Sequence, residues 1–239
     1  MLSDRPFTKQ NLDMYLRELA KEFRKRYGKS VPAEIILVGG AAVLVNYGFR
    51  EKTYDMDAII TTASSMKDII NYIGDKFDLP TGWLNTDFMN TSSYTPRIIP
   101  FSKYYRTFSN TITIRTISAE YLVAMKLKSG RMYKYDRSDI IGILLEQKRM
   151  GDPLTLDRIK KAVCDLYDAY DNLNDEIRQF IEQALKDGKY EELYAKVREF
   201  EKENRAALIQ LHKGQQKAIT TDNVNDILTA LRKKKEKQN

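Results

Sequence analysis

The feature that most limits the possible folds is a short apolar run that ends in two glycines. Residues 35–38 are mostly β-branched, which predicts a buried strand that stops at Gly39-Gly40. Residues 41–49 can then form about two helical turns. Residues 54–62 predict a second strand, on which Asp55 and Asp57 share one face because side chains alternate along a strand. Residues 35–62 are therefore expected to form a strand, glycine turn, helix, strand unit.

The rest of the pattern divides the chain in two. Helical spacing follows Thr8, Ser65, Ser118 and Ser138, and residues 111–117 alternate as a strand, whereas residues 78–105 read as irregular with strand potential only around 97–100. Beyond residue 154 only helical patterns occur. We expect an α/β (α+β) domain over residues 1–151, with a mixed sheet and flanking helices. An all-helical module with a basic tail should follow over residues 152–239.

Composition excludes several classes of enzyme. With one cysteine (Cys164), the chain cannot form an intramolecular disulfide or a thiolate zinc cluster, and with one histidine (His212) it cannot be a zinc hydrolase with several imidazole ligands. No stretch approaches the roughly 18–20 apolar residues of a membrane span, and the first residues lack a signal-peptide core. We therefore expect a cytoplasmic protein without a membrane partner, whose chemistry would rest on carboxylates, lysine, hydroxyls and hard cations.

Positive charge is concentrated at the C-terminus. The formal net charge is +7, and the last eight residues carry five cations and one anion, which leaves +3 on the rest of the chain. A solubilising terminus and a tail that contacts RNA both explain this cluster, residues 232–237.

The glycine pair and the two aspartates together indicate phosphate chemistry. Glycine directly after a strand lets the backbone approach a phosphate, and the next helix offers free N–H groups and the positive end of its dipole. Two carboxylates at i and i+2 on a strand project together, as shared coordination of one cation requires. Magnesium typically takes one or two protein carboxylates and fills its remaining positions with water and phosphate oxygens.

At these residues the sequence resembles the polymerase-β-type nucleotidyltransferase superfamily. Residues 37–40, followed by Arg50, Thr53, Asp55 and Asp57, resemble the signature of its AbiEii-like branch, which includes bacterial abortive-infection and toxin–antitoxin toxins. Residues 118–127, Arg131 and residues 136–140 are similar to the second block of that branch. The likeness covers roughly residues 30–150 and leaves out the helical module.

The resemblance implies transfer of a nucleotidyl group from a nucleoside triphosphate such as ATP to an acceptor, either RNA (transfer RNA included) or a protein side chain. A cognate antitoxin would be a further partner. Asp55 and Asp57 would hold Mg²⁺ or Mn²⁺, and Lys126 would be catalytic by answering negative charge on the phosphates. The nucleotide-binding residues implied are Gly39, Gly40, Arg50, Thr53, Arg131 and Asp139.

Other interpretations of the charged residues stay open. Lys126 lies among apolar helix neighbours, so its ammonium either meets an anion or extends to the domain edge. Arg131, Arg137 and Asp139 could equally form a structural ion-pair network between two helices.

The sequence departs from the superfamily at the third carboxylate, which a later strand usually supplies. The strand at 111–117 has no acid, and carries Arg115 where one is expected. Asp87, Glu120 and Asp136 are the candidates to replace it. The gap also supports a rival hypothesis, a non-catalytic nucleotidyltransferase-like module that binds nucleotide, RNA or a protein partner. A basic nucleic-acid-binding protein with dispersed tyrosines is a third hypothesis.

Overall fold

The computed structural model describes residues 6–62, 66–132, 134–214 and 224–229, and these form a mixed sheet with helices around it. The predicted α/β (α+β) class with a helical C-terminal region is confirmed. In chain order the elements are α1 (Lys9–Tyr27), β1 (Ala33–Leu37), α2 (Gly39–Asn46), β2 (Met56–Thr61), α3 (Met66–Phe77), β3 (Leu84–Asn85), β4 (Ser102–Phe108), β5 (Ile112–Ile117), α4 (Ala119–Ser129), α5 (Asp136–Arg149), α6 (Leu156–Tyr167), α7 (Asp175–Asp187) and α8 (Tyr190–Gly214).

Some predictions fall outside the described residues. These are the helix start at Ser65, Tyr133, and the basic tail at residues 232–237. A separate helical segment is described at 224–229. None of the helices described has the length and apolar content that a membrane crossing needs.

The sheet places the glycine pair beside the two aspartates. Its strand order is β3-β2-β1-β5-β4. β1 runs antiparallel to β2, so the carboxyl end of β1 meets the start of β2, and the Val38 N–H donates to the Asp57 carbonyl at 3.0 Å. β5 runs parallel to β1, and β3 runs parallel to β2. One edge of the sheet therefore gathers Gly39, Asp55, Asp57 and the segment after β3.

Each face of the sheet covers its own hydrophobic cluster. Ile35, Leu37 and Ala58 face the cluster that includes α1 and α3. Ile36 and Ile59 face the other cluster, which includes α4, α5, α6 and α7. Because side chains alternate along β2, Asp57 projects toward the second side, where α4 lies.

The second cluster extends over residues on both sides of Gly151. It contains Ile36 of the sheet and Ile181 of α7, both fully buried. The helices beyond residue 154 thus share a core with the sheet. The boundary between residues 151 and 152 remains a prediction.

Helix starts follow the predicted capping chemistry at one end and depart from it at another. The Thr8 hydroxyl accepts from the Asn11 N–H while the Asn11 side chain accepts from the Thr8 N–H, which is a capping box. Ser118 occupies the N-cap of α4, but its side chain makes no cap hydrogen bond; its hydroxyl donates to the Phe101 carbonyl at 3.3 Å instead.

The segment predicted to be irregular contains an edge strand. β4 pairs antiparallel with β5, and most of its side chains are at least partly exposed, so the apolar alternation that identifies a strand is absent. The strand potential at 97–100 was misleading, because Pro96–Phe101 forms a 3₁₀ helix with Pro96 in its first turn.

Candidate functional site

A cavity of about 380 Å³ opens at the sheet edge that gathers the glycine pair and the aspartates. All nine site residues predicted from the sequence line it: Gly39, Gly40, Arg50, Thr53, Asp55, Asp57, Lys126, Arg131 and Asp139. The other lining residues are Tyr54, Lys134, Tyr135, Asp136 and Arg205. The structure therefore brings together residues that lie up to 166 positions apart in the chain.

The two glycines form the first turn of α2 and leave no room for side chains. Gly39 has a φ of +55°, and a Cβ there would lie 3.3 Å from Asp57 Oδ2. A Cβ on Gly40 would lie 2.7 Å from Arg50 Nη2 and 2.8 Å from Thr53 Oγ1. The N-cap residue Val38 offers no side-chain cap, so the first N–H groups of α2 are available to an anion.

Asp55 and Asp57 line the same cavity with hard oxygen donors. Burial, together with the charge of Asp55, raises the pKa of Asp57 to about 6, while Lys134 and Arg131 act in the opposite direction. A cation bound between the two carboxylates would offset the repulsion between their charges. Within the described residues no group of three or more acids, histidines and cysteines has metal-binding geometry.

Thr53 fixes the segment that leads into the aspartates. Its backbone pairs with Phe7, whose N–H donates to the Thr53 carbonyl at 2.7 Å and whose carbonyl accepts from the Thr53 N–H at 2.9 Å. The Thr53 hydroxyl lies 3.2 Å from the Asp55 carbonyl and 3.3 Å from Asp55 Oδ1. The N-terminal segment thus holds one wall of the cavity.

A buried ion-pair cluster forms the opposite wall. Lys126 Nζ lies 3.1 Å from Asp136 Oδ1 and 2.7 Å from Asp139 Oδ2, and its side chain is 7% exposed. Arg50 also donates to Asp139, and Arg131 Nε donates to Asp136 at 2.8 Å. Burial alone would raise the pKa of Asp136, but Lys126 and Arg131 hold it below its usual range. The anion that the sequence required near Lys126 is therefore present.

The cluster resolves the alternatives for the neighbouring charged residues. Lys126 does not extend to the domain edge, since it lies between two carboxylates. Arg131 and Asp139 belong to the ion-pair network, and both also line the cavity. Arg137 instead donates to Glu176 at 2.6 Å and lies outside the cavity.

A second cavity of about 400 Å³ adjoins the first and shares Asp55 and Asp57 with it. Its own part is almost uncharged: the residues it does not share are Pro80, Thr81, Gly82, Trp83, Asn85, Asp87, Phe88, Thr91, Ser93, Met125 and Ser129. Asp87 is exposed, and its charge contributes to the raised pKa of Asp57. Lys126, Arg131, Lys134 and Asp136 line both cavities as well, so the charged residues that distinguish them are Arg50, Asp139 and Arg205 in the first and Asp87 in the second.

The three candidates for a third acid differ in position and exposure. Glu120 lies 3.7 Å from Arg158 and lines neither cavity, while Asp136 lines both but is buried between Lys126 and Arg131. Asp87 lines the second cavity and is exposed.

Arg115 occupies the strand position where the third acid was expected. It pairs in register with Ile36, on the face toward which Asp57 projects. Its guanidinium turns to β4, where it donates to the Ser102 hydroxyl at 2.8 Å and carbonyl at 2.6 Å. Arg115 lines neither cavity, so its side chain is not placed to contact a phosphate bound in either of them.

Four of the described residues that line the first cavity were outside the motifs: Tyr54, Lys134, Tyr135 and Arg205. Tyr54 and Lys134 are exposed and line both cavities, and Arg205 reaches the first cavity from α8. Tyr54 directly precedes Asp55, and so a search for aromatic neighbours of the acidic pair would have found it. Lys134 and Arg205 carried no signal, because an isolated cation in a charged stretch reads as a solvated surface.

Comparison with protein families gives one match. A family model described as a nucleotidyltransferase of unknown function (DUF6036) matches residues 14–205, which includes every lining residue of both cavities. No curated protein and no solved structure matches the chain.

We predict that Lys126→Met destabilises the fold by about 3–5 kcal/mol, because it leaves two buried carboxylates short of a positive charge. Lys128→Met is the matched control on the same helix; Lys128 is partly exposed and lies 5.7 Å from the Tyr167 ring, so its loss should cost about 1 kcal/mol or less. Urea unfolding measures both free energies. Equal midpoints for Lys126→Met and the wild-type protein would contradict a stabilising role for the cluster.

Proposed function

The chain belongs to the DUF6036 family of nucleotidyltransferases, and we propose that it transfers a nucleotidyl group from a nucleoside triphosphate to a hydroxyl group of an RNA or protein acceptor. The observation that carries the proposal is the convergence of Gly39, Gly40, Asp55 and Asp57 on one cavity. The glycines and the first turn of α2 offer backbone donors to a phosphate, and the aspartates offer oxygens to a cation.

The donor set at Asp55 and Asp57 fits Mg²⁺ or Mn²⁺. Carboxylate oxygens suit these hard ions, and a bound cation would offset the burial and the charge of Asp55 that raise the pKa of Asp57 to about 6. When bound, such an ion neutralises charge on the triphosphate and on the departing pyrophosphate. Thr53 contributes by fixing Asp55 through its hydroxyl.

The reaction balances as an in-line displacement. The acceptor oxygen forms a bond to the α-phosphorus, the bond from that phosphorus to the bridging oxygen of the β-phosphate breaks, and pyrophosphate leaves. Asp87 takes the proton of the acceptor hydroxyl, because it is the exposed carboxylate that lines the second cavity but not the first. This assigns the first cavity to the triphosphate and the second to the acceptor.

The identity of the acceptor is a separate part of the proposal. Likeness of residues 37–57 to the AbiEii-like branch supports a toxin that acts in the cytoplasm on RNA, such as transfer RNA, or on a protein, and that is controlled by an antitoxin. Incubation with each of the four labelled nucleoside triphosphates, Mg²⁺ and total RNA distinguishes the acceptors by where the label appears. Binding of the magnesium nucleotide without labelled RNA, protein or small acceptor would favour the non-catalytic module, which the absence of an acid on β5 supports.

We predict that Asp55→Asn combined with Asp57→Asn abolishes magnesium-dependent nucleotide binding, since it removes both anionic ligands. Asp75→Asn, an exposed carboxylate on α3 outside both cavities, is the matched control and should bind like the wild-type protein. Calorimetry with and without Mg²⁺ measures the effect. Unchanged metal-dependent binding in the double variant would place the site elsewhere.

We predict that Asp87→Asn slows transfer by about 10²–10⁴-fold, the usual contribution of a general base. Nucleotide affinity should change little, because Asp87 lies outside the first cavity. Single-turnover transfer and equilibrium binding separate the two effects. A variant that transfers at the wild-type rate would remove Asp87 from the mechanism.

A further inference from the structure

The helix α8 contacts the loop between α4 and α5 and the first turn of α5. Two of the five described cations that line the first cavity, Arg131 and Lys134, lie in this loop, and Asp136 begins α5. Three side chains of α8, each three residues apart, contact the loop or the first turn of α5: Arg198, Glu201 and Asn204. That spacing puts them on one face of the helix.

Glu201 makes the central contact. It is fully buried, and its carboxylate accepts from the N–H groups of Arg137 at 3.0 Å and Ser138 at 3.1 Å, and from the Ser138 hydroxyl at 2.5 Å. These N–H groups belong to the first turn of α5, where the helix itself supplies no acceptor. Glu201 therefore caps α5 from another helix.

The cap has an electrostatic cost. Burial raises the pKa of Glu201 to about 7, the hydrogen bonds from Ser138 oppose this, and the charges of Asp139 and Asp136 add to it. The Glu201 carboxylate joins α5 to α8, although burial and the neighbouring carboxylates make its ionised form less favourable.

The other two contacts of α8 are with the loop between α4 and α5 itself. The Arg198 guanidinium lies 3.5 Å from the centre of the Tyr135 ring, a cation–π contact. The Asn204 side chain is buried and donates to the Met132 carbonyl at 2.7 Å. The next residue, Arg205, lines the cavity, so α8 both holds the loop and adds a cation of its own.

The charge balance of the cavity makes that cation important. Lys126, Arg50 and Arg131 each pair with a buried carboxylate, which already compensates their charge. Within the described part of the chain, Lys134 and Arg205 are lining cations that form no ion pair. A magnesium nucleoside triphosphate retains negative charge, and these two side chains are the ones placed to meet it.

We propose that α8 completes the nucleotide site, with Arg205 contacting the triphosphate and Glu201 acting as the positioning residue that docks α8 on the first turn of α5 and so places Arg205 at the cavity. This inference rests on the proposed function, since it assumes that a nucleoside triphosphate occupies the first cavity. It assigns to the helical region a direct part in substrate binding, which the sequence motifs did not include.

The first test is nucleotide affinity in Arg205→Gln, with Lys202→Gln as the matched control. Both residues are exposed on α8, but Lys202 pairs with Glu199 at 3.1 Å and does not line the cavity. Binding is measured by calorimetry with Mg²⁺ and a non-hydrolysable ATP analogue, and again with analogues of the other three nucleotides. Arg205→Gln should bind about 10- to 100-fold more weakly than the wild-type protein, whereas Lys202→Gln should bind with unchanged affinity. Equal affinity in Arg205→Gln and the wild-type protein would overturn the proposal.

The second test separates positioning from folding. Glu201→Ala should weaken binding, and in that background Arg205→Gln should have no further effect, because Arg205 is already displaced. Additive effects of the two substitutions would overturn the positioning role. Glu201→Gln, which keeps an acceptor for the α5 N–H groups, should retain most affinity. If Glu201→Ala fails to fold, Asn204→Ala, which removes the contact of α8 with the Met132 carbonyl, takes its place in the cycle. Failure of the wild-type protein to bind any magnesium nucleotide would instead refute the proposed function.

Discussion

The pairing of Lys126 with Asp136 and Asp139 is the interaction on which the rest of the site depends. Taking these charges out of water costs several kcal/mol for each ion, and only close contacts among them recover that cost. The contacts join α4 to α5, and Arg50 adds the segment after α2 through Asp139. Residues from three separate parts of the chain are thereby fixed around one cavity. The cluster also explains why a cation so deep in an apolar helix remains compatible with folding.

In this arrangement one set of cations shapes the cavity and another set is placed to bind a substrate. Cations that are already compensated shape the cavity wall, while Lys134 and Arg205 are left to meet an incoming anion. On the opposite side, the glycine pair leaves backbone N–H groups open, and Asp55 and Asp57 present negative charge. A ligand that carries both phosphate and a divalent cation satisfies all of these groups together. Neither a phosphate nor a cation alone does so.

The sequence predicted the residues of its two motifs, Lys126, Arg131 and Asp139 included, and missed the contribution of α8. Gly39-Gly40 and the Asp55, Asp57 pair were accessible because they lie where two neighbouring strands, joined by one short helix, end and begin, so spacing alone determines their proximity. Arg205 and Glu201 become site residues only through the packing of α8 on α5, which no periodicity encodes. The edge strand β4 was missed because its exposed polar residues remove the apolar alternation, and the 3₁₀ helix before it was mistaken for a strand because its isoleucines are β-branched. The fold class was predictable because it depends on long apolar patterns.

We infer that one magnesium nucleoside triphosphate binds between the glycine pair and the two aspartates. A crystal structure with Mn²⁺ and a non-hydrolysable nucleotide analogue tests it most directly, because manganese is located by its anomalous scattering. We expect the manganese peak at Asp55 and Asp57, and the triphosphate against the first turn of α2 at Gly39-Gly40. A metal or nucleotide bound elsewhere at saturating concentrations, with this cavity holding only solvent, would contradict the inferred binding site.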